Sequence, residues 1–291
     1  MHRFLLHNDK IVDAGERFLS PGQVGLVNGW GVFSTIRVED GVMFEWARHW
    51  ARMERDAVRM RVPFPSDARW LEERLYRLID ANDAAHSTLR VIVVRNRGGM
   101  WEGPAAAERP FETIALTAPL NDWGTSVKLG VVPQARHAAS EFAGTKYLSW
   151  SENLTRYERA HEQGFDEVVL LNERGEVAEC TSANIFIVKG RDVFTPPLTA
   201  GCLPGVTRAL LLERIQVPGI IVSEKTILPE DLESADEVFV TSTTRDLMPV
   251  GWIDGLKIKG GHAVRDRLQQ AFSAYIRSYV AAHARAMEKV L

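Results

Sequence analysis

One lysine of this 291-residue chain sits where a reactive amine would. Lys146 lies in the stretch GTKYLSWS (144–151), with no charged residue within two positions of it. Weak solvation disfavours an ammonium, lowers its pKa and so supplies the neutral amine that attacks a carbonyl. Three other stretches offer donors for an anion. Arg52 follows His49 in RHWARMERDA, which the apolar spacing makes part of a helix. Val206 and Thr207 open another helix behind Pro204 and Gly205, where unbonded N–H groups and a hydroxyl are available. Thr241, Ser242, Thr243 and Thr244 in TSTTRD add hydroxyl and N–H donors at a turn. Glu179, in GEVAECTSANIF, is a carboxylate where a strand meets a small-residue turn.

Each of these has a plain structural alternative. A lysine or arginine is ordinarily a solvated surface charge, a threonine a cap, a Ser/Thr run a turn, and a strand glutamate an exposed carboxylate. The set is more informative than its members. An amine of tunable pKa, a phosphate cradle and a carboxylate to face a basic ring nitrogen are together what pyridoxal phosphate needs. Other chemistries lack their motifs, since there is no G-x-S-x-G, Walker A or H-E-x-x-H pattern. Gly29-Trp30-Gly31 begins like a dinucleotide loop but lacks the third glycine and lies in a strand context. The histidines show no metal spacing, so no metal is expected; His161 falls on an apolar helix side and is expected in the core.

The elements that must position these residues follow from periodicity. Trp46, Trp50, Met53, Ala57 and Met60 mark one face of a helix, and Leu71, Leu75, Leu78 and Ile79 a second. Residues 10–15, 31–44, 88–95 and 111–117 form strands, with a turn at Glu39-Asp40-Gly41. The stretch APLNDWGTS is polar and turn-rich. It divides the chain into an N-terminal α/β domain (1–118), a linker (119–125) and a C-terminal α/β domain (126–291) that carries the lysine. Beyond the lysine, Trp150, Leu154, Tyr157 and His161 line one helix face, ended by Gly164. Strands fill 166–197, and a last helix carries Leu268, Phe272 and Ile276. The mixed order of strands and helices favours α+β or mixed α/β over a doubly wound sheet.

Bulk properties narrow the partners. With 45% hydrophobic residues the chain can bury a large core, and a net charge of −3 gives no reason to expect nucleic acid or a membrane surface. No apolar run reaches a membrane span, and the N-terminus predicts no secretory signal. Two cysteines without ligand spacing fit a reduced, cytoplasmic protein.

At this point the chain resembles the class IV (fold type IV) pyridoxal-phosphate enzymes: branched-chain and D-amino acid aminotransferases and aminodeoxychorismate lyases. GWGVFSTIRVEDGVMF with RHWARM, then EVAECTSANIFIV, FTPPLTAGCLPGVTRALLLE and VFVTSTTRDLMPV, carry the likeness over about residues 20–255. The resemblance implies two α/β domains of the D-amino acid aminotransferase type, usually in a homodimer. It implies a Schiff base on Lys146 and Glu179 paired with the pyridine nitrogen. Arg52, Thr207 and Thr243 would bind the phosphate, helped by the N–H groups of Val206 and Thr207. Leu203 would pack on the ring, and the amides of Thr243 and Thr244 would also suit a substrate carboxylate.

Signals for the individual activity conflict. Ser34 stands where such aminotransferases usually have glutamate, and Ser34-Thr35-Ile36-Arg37 is more like the lyases. Phe33 replaces a substrate-binding tyrosine of the D-amino acid enzymes, and NRGGMWEG lacks their arginine-x-histidine pair. Trp101 and Met100 suggest an apolar lid, and Arg37 and Arg97 are either carboxylate anchors or surface ion-pair partners. The favoured reading is a transaminase acting on an amino donor and a 2-keto acid. A lyase that releases pyruvate and 4-aminobenzoate is the alternative, and an R-selective amine transaminase a third. A binding or regulatory relative without turnover would not need both Lys146 and Glu179.

Overall fold

The computed structural model describes residues 1–16, 23–99 and 109–287. Its contacts divide the chain into two compact units. The first comprises Met1–Asn121, Thr145–Trp150 and Ser278–Leu291, and the second Asp122–Gly144 and Ser151–Arg277. The chain leaves the first unit between Asn121 and Asp122. The lysine is placed differently from the expectation, because residues 145–150 pack with the first unit. Tyr147 bridges Val32, the Phe33 N–H donates to Lys146 O (3.2 Å), and the Leu148 N–H donates to Gly31 O (2.9 Å). Pairing across more than a hundred residues leaves no trace in local periodicity.

Among the described residues the first unit has strands β1 (Phe4–His7), β2 (Lys10–Asp13), β3 (Gly31–Glu39), β4 (Val42–Met43), β5 (Ser87–Arg95) and β6 (Phe111–Ala118). They form one antiparallel sheet in the order β2-β1-β6-β5-β3-β4. Its helices are α1 (Val24–Val27), α2 (Trp46–Arg59) and α3 (Ala68–Ala81). Asp67 caps α3 by accepting the Arg69 and Trp70 N–H groups. Leu71, Leu75 and Leu78 of α3 and Met53 and Ala57 of α2 are buried with Ile36, Val38, Leu89 and Val91 of the sheet. Each large side chain there contributes roughly 1.5–3 kcal/mol. The buried face of α2 also carries His49, Arg52 and Asp56, three polar groups that must find partners inside.

The second unit begins with β7 (Val127–Arg136) and α4 (Ser151–Glu162). It continues through β8 (Glu167–Asn172), β9 (Val177–Cys180), β10 (Asn184–Lys189), β11 (Asp192–Thr195), α5 (Val206–Glu213) and β12 (Ile221–Glu224). Then follow α6 (Pro229–Ser234), β13 (Glu237–Ser242), β14 (Asp246–Ile253) and α7 (Ala263–Met287). Among the described residues its sheet has eight strands in the order β12-β11-β10-β13-β14-β7-β8-β9, with β7 parallel to both β8 and β14. Every residue of β8 is buried, as a strand covered on both faces requires. The architecture is mixed α/β, as the element order implied.

The expected face of α4 is corrected. Leu154 is 52% exposed and His161 is exposed, while Asn153 and Ala160 are buried. Ala160 is small enough to pack against Val168 and Leu170, and Asn153 Nδ2 donates to Thr181 O (3.2 Å). Among the described residues, no helix is long and apolar enough to cross a membrane.

Candidate active site

The candidate residues fall into two groups, one in each unit. In the first unit, β3, α2 and the 145–150 segment meet around Lys146. Both backbone groups of Lys146 are tied: its N–H donates to Asp56 Oδ2 (3.0 Å), and its carbonyl accepts from Phe33. Asp56 is 1% exposed, and its other oxygen pairs with Arg55. A Cβ on Gly31 would stand 2.6 Å from Leu148 Cδ1 of that segment and equally close, 2.6 Å, to the backbone carbonyl oxygen of Val93 on β5, which cannot swing aside, so glycine is required there. That close approach accounts for a glycine that sequence inspection compared with a dinucleotide loop.

The Lys146 amine lies 4.4 Å from the centroid of the Phe33 ring and 5.4 Å from that of Trp150, and the two rings meet edge to face at 6.0 Å. Arg90 of β5 lies 4.7 Å from the Phe33 ring centroid. It is half-buried, burial lowers its pKa, and among the described residues no carboxylate pairs with it. Behind Phe33, the Arg52 Nη2 donates to Ser34 Oγ (2.9 Å), and Ser34 Oγ lies 2.7 Å from His49 Nδ1. Burial pushes Arg52 down to about 10, against the pull of the Asp56 carboxylate, so it stays a cation near neutrality. Burial, and then the charges of Arg52 and Lys146, hold His49 well below its ordinary 6.5.

A buried neutral imidazole makes the fold acid-sensitive. Below pH 6.5 the unfolded chain takes up a proton at His49 that the folded chain refuses. Stability therefore falls with falling pH, by about 1.4 kcal/mol per unit, from pH 6.5 until the lower folded value is reached. Urea unfolding at pH 7 and pH 5.5 is expected to show this loss, and His49→Asn to remove that component of it. An unchanged pH slope in the variant would contradict the assignment.

In the second unit, Glu179 is the third residue of β9 and is 8% exposed. Its Oε1 accepts from Arg136 Nε (2.9 Å) and its Oε2 from the Leu203 N–H (2.9 Å), which fixes the plane of the carboxylate. Leu203 O accepts from Asn184 Nδ2 (2.9 Å). A Cβ on Gly205 would collide with the same Asn184 side chain. Gly205 leads into α5 with no side-chain cap, so the first N–H groups, from buried Val206 and Thr207, remain available to an anion. Thr243 and Thr244 lie in the turn after β13, and Thr241 Oγ1 is buried with no hydrogen-bond partner among the described residues.

The residues from 31 to 253 match the family model for amino-transferase class IV. The chain belongs to the class IV aminotransferase family. It is 28% identical over 260 residues to a D-alanine aminotransferase of Bacillus licheniformis, covering 88% of this chain and 90% of that one. It is 30% identical over 229 residues to an aminodeoxychorismate lyase of Vibrio harveyi, covering 77% and 83%. The solved branched-chain amino acid aminotransferase of Escherichia coli superposes with a TM-score of 0.84 at 26% identity, covering 94% and 93%.

Within this class IV chain the other expected substrate residues fare unequally. Phe33 lies beside Lys146, whereas Arg37 donates from Nε to Glu39 on its own strand (2.7 Å) and Arg97 is exposed. Met100 and Trp101 lie outside the described residues. Arg90, Arg136, His49 and Asp56 were not singled out by sequence inspection as site residues. The available signal for Arg90 was one charge inside the strand TLRVIVVR.

Proposed function

We propose that the protein is a pyridoxal-5′-phosphate-dependent transaminase that moves an amino group between an amino acid and a 2-oxo acid. The observation that carries this reading is Lys146, fastened at both backbone groups with its amine beside two aromatic rings. The donor set of the chain fits the cofactor. The first unit offers an amine and a buried guanidinium; the second offers a pinned carboxylate, an uncapped helix start that no larger residue than Gly205 could precede, and the partnerless Thr241 hydroxyl. Lys146 would hold the cofactor covalently, and Glu179 would face its ring nitrogen with Leu203 beside the ring. Arg52, Val206, Thr207 and Thr243 would take the phosphate. When bound, pyridoxal phosphate supplies an aldehyde for the amino group and a protonated ring that draws electron density from the substrate Cα.

The side chains do the rest. Lys146 Nζ would take the proton from the substrate Cα and deliver it across the substrate nitrogen, to the carbon on the side that keeps the amino group. Phe33 and Trp150 set two aromatic rings beside the amine. Arg90, a half-buried cation without its own carboxylate, would receive the carboxylate of the substrate, as would the amides of Thr243 and Thr244. A cation waiting for a carboxylate favours an amino acid over a simple R-amine. The homodimer and the cytoplasmic setting belong to this reading, the first on the strength of the resemblance and the second on two free, buried cysteines.

The paired hydroxyls of Ser34 and Thr35 and the lyase relative support the second reading, release of pyruvate and 4-aminobenzoate. The visible spectrum of the purified protein separates the two. L-leucine, D-alanine, an R-amine and aminodeoxychorismate are added singly, without keto acid. Bleaching of the yellow band by one amino acid is expected. A band that persists with the amines while aminodeoxychorismate yields 4-aminobenzoate would overturn transamination, and no band after reconstitution would overturn both readings.

A further inference from the structure

We propose that Ser34 and His49 are positioning residues that fix the direction in which the Arg52 guanidinium faces an anion. The inference rests on the reading that Arg52 takes the phosphate. A guanidinium carries donors only, so Ser34 Oγ must accept from Arg52 Nη2 at 2.9 Å. The serine proton then needs an acceptor, and the atom at 2.7 Å is His49 Nδ1. Arg52 Nη2 also faces that nitrogen, at 3.4 Å, so Nδ1 cannot itself carry a proton without two donors opposing each other. The hydrogen bonds therefore run from Arg52 to Ser34 to His49, and the imidazole proton sits on Nε2, which is buried with no hydrogen-bond partner among the described residues.

The chain works only with a neutral imidazole. An imidazolium would turn Nδ1 into a donor, strand the serine proton and add a cation beside Arg52. Ser34 and His49 are both 0% exposed, so water offers no substitute acceptor. Arg52 Nη2 is thus aimed through the Ser34 hydroxyl by the acceptor nitrogen of His49.

The test compares two ligands that differ only in the phosphate. Full-length protein stripped of cofactor is titrated with pyridoxal phosphate and with pyridoxal, read by quenching of its tryptophan fluorescence. Ser34→Ala is expected to weaken pyridoxal phosphate about tenfold, the scale of one charge-assisted hydrogen bond, and to leave pyridoxal unchanged. His49→Leu, which has no acceptor, should do the same. His49→Asn, whose amide oxygen can stand in for Nδ1, should recover most of the loss. Ser34→Ala losing both ligands in equal proportion, or neither, would overturn the proposal, and it stays decisive even if His49→Leu fails to fold. Arg52→Gln is the control. If it too leaves the ratio of the two affinities unchanged, the assignment of Arg52 to the phosphate fails first, and the relay with it.

Discussion

Lys146→Ala is expected to lower turnover by about four orders of magnitude or more while leaving the fold intact. A positioned acid–base group alone is worth about 10²–10⁴, and Lys146 would in addition hold the cofactor in place. The backbone bonds of Lys146, to Asp56 and Phe33, are ones that alanine keeps, so the fold should tolerate the change. Stability should stay within about 1 kcal/mol of the parent. Steady-state rates and a urea titration on the same preparation check both halves. A small added amine such as methylamine should restore part of the rate by replacing the missing proton carrier. A variant that keeps more than about a hundredth of the parental rate would remove Lys146 from the chemistry. The same variant has a second readout. Lys146 is one of the two charges that help hold His49 below its ordinary value, so its removal should shrink the acid sensitivity assigned to His49.

Periodicity found the helices of the first unit because they bury apolar side chains at regular offsets. Met53, Ala57, Leu71, Leu75 and Leu78 all lie in the core as their spacing implies. The same reasoning is blind to polar residues on that face. His49, Arg52 and Asp56 occupy core positions of α2, and what lets them do so is Ser34 and Lys146, neither of which is near them in sequence. It fails outright where the contact is small or hydrogen-bonded. In α4 the buried positions are an alanine and an asparagine, and the leucine that set the expected face points outward. Short strands also escape it. β1 has four residues, and its place between β2 and β6 depends on partners more than a hundred residues away. Candidate residues with distinctive local chemistry, Lys146 among small and apolar neighbours and Glu179 before a small-residue turn, could be named from the chain alone. What makes them a site, such as Arg136 on Glu179 or Arg90 on Phe33, is long-range contact.

Glu167→Ala is expected to destabilise the protein by about 3–5 kcal/mol, the cost of leaving a buried charge without its partner. Glu167 opens β8 and is 0% exposed. Its Oε2 accepts from Arg245 Nη1 (3.0 Å) and Ser182 Oγ (2.6 Å). Its Oε1 accepts from the Thr181 N–H (3.1 Å) and the Thr181 hydroxyl. One carboxylate therefore anchors the turn that follows Glu179 and, through Arg245, the turn that carries Thr243 and Thr244. Alanine would leave the Arg245 guanidinium, 2% exposed and stacked 3.9 Å above Trp123, with no anion to balance it. Against a typical stability of about 5–15 kcal/mol that is a large fraction of the whole. Urea unfolding should place the midpoint of Glu167→Ala far below the parent. The double variant Glu167→Ala, Arg245→Leu should recover much of the loss, because removing both charges together avoids the uncompensated one. A single variant within about 1 kcal/mol of the parent, or a double variant no better than the single, would mean that the donors around Glu167 rearrange without cost. The same two variants separate folding from function. If the double variant regains stability yet still binds the cofactor weakly, the pair is what holds the two turns in register, and its contribution to the site exceeds its contribution to the fold.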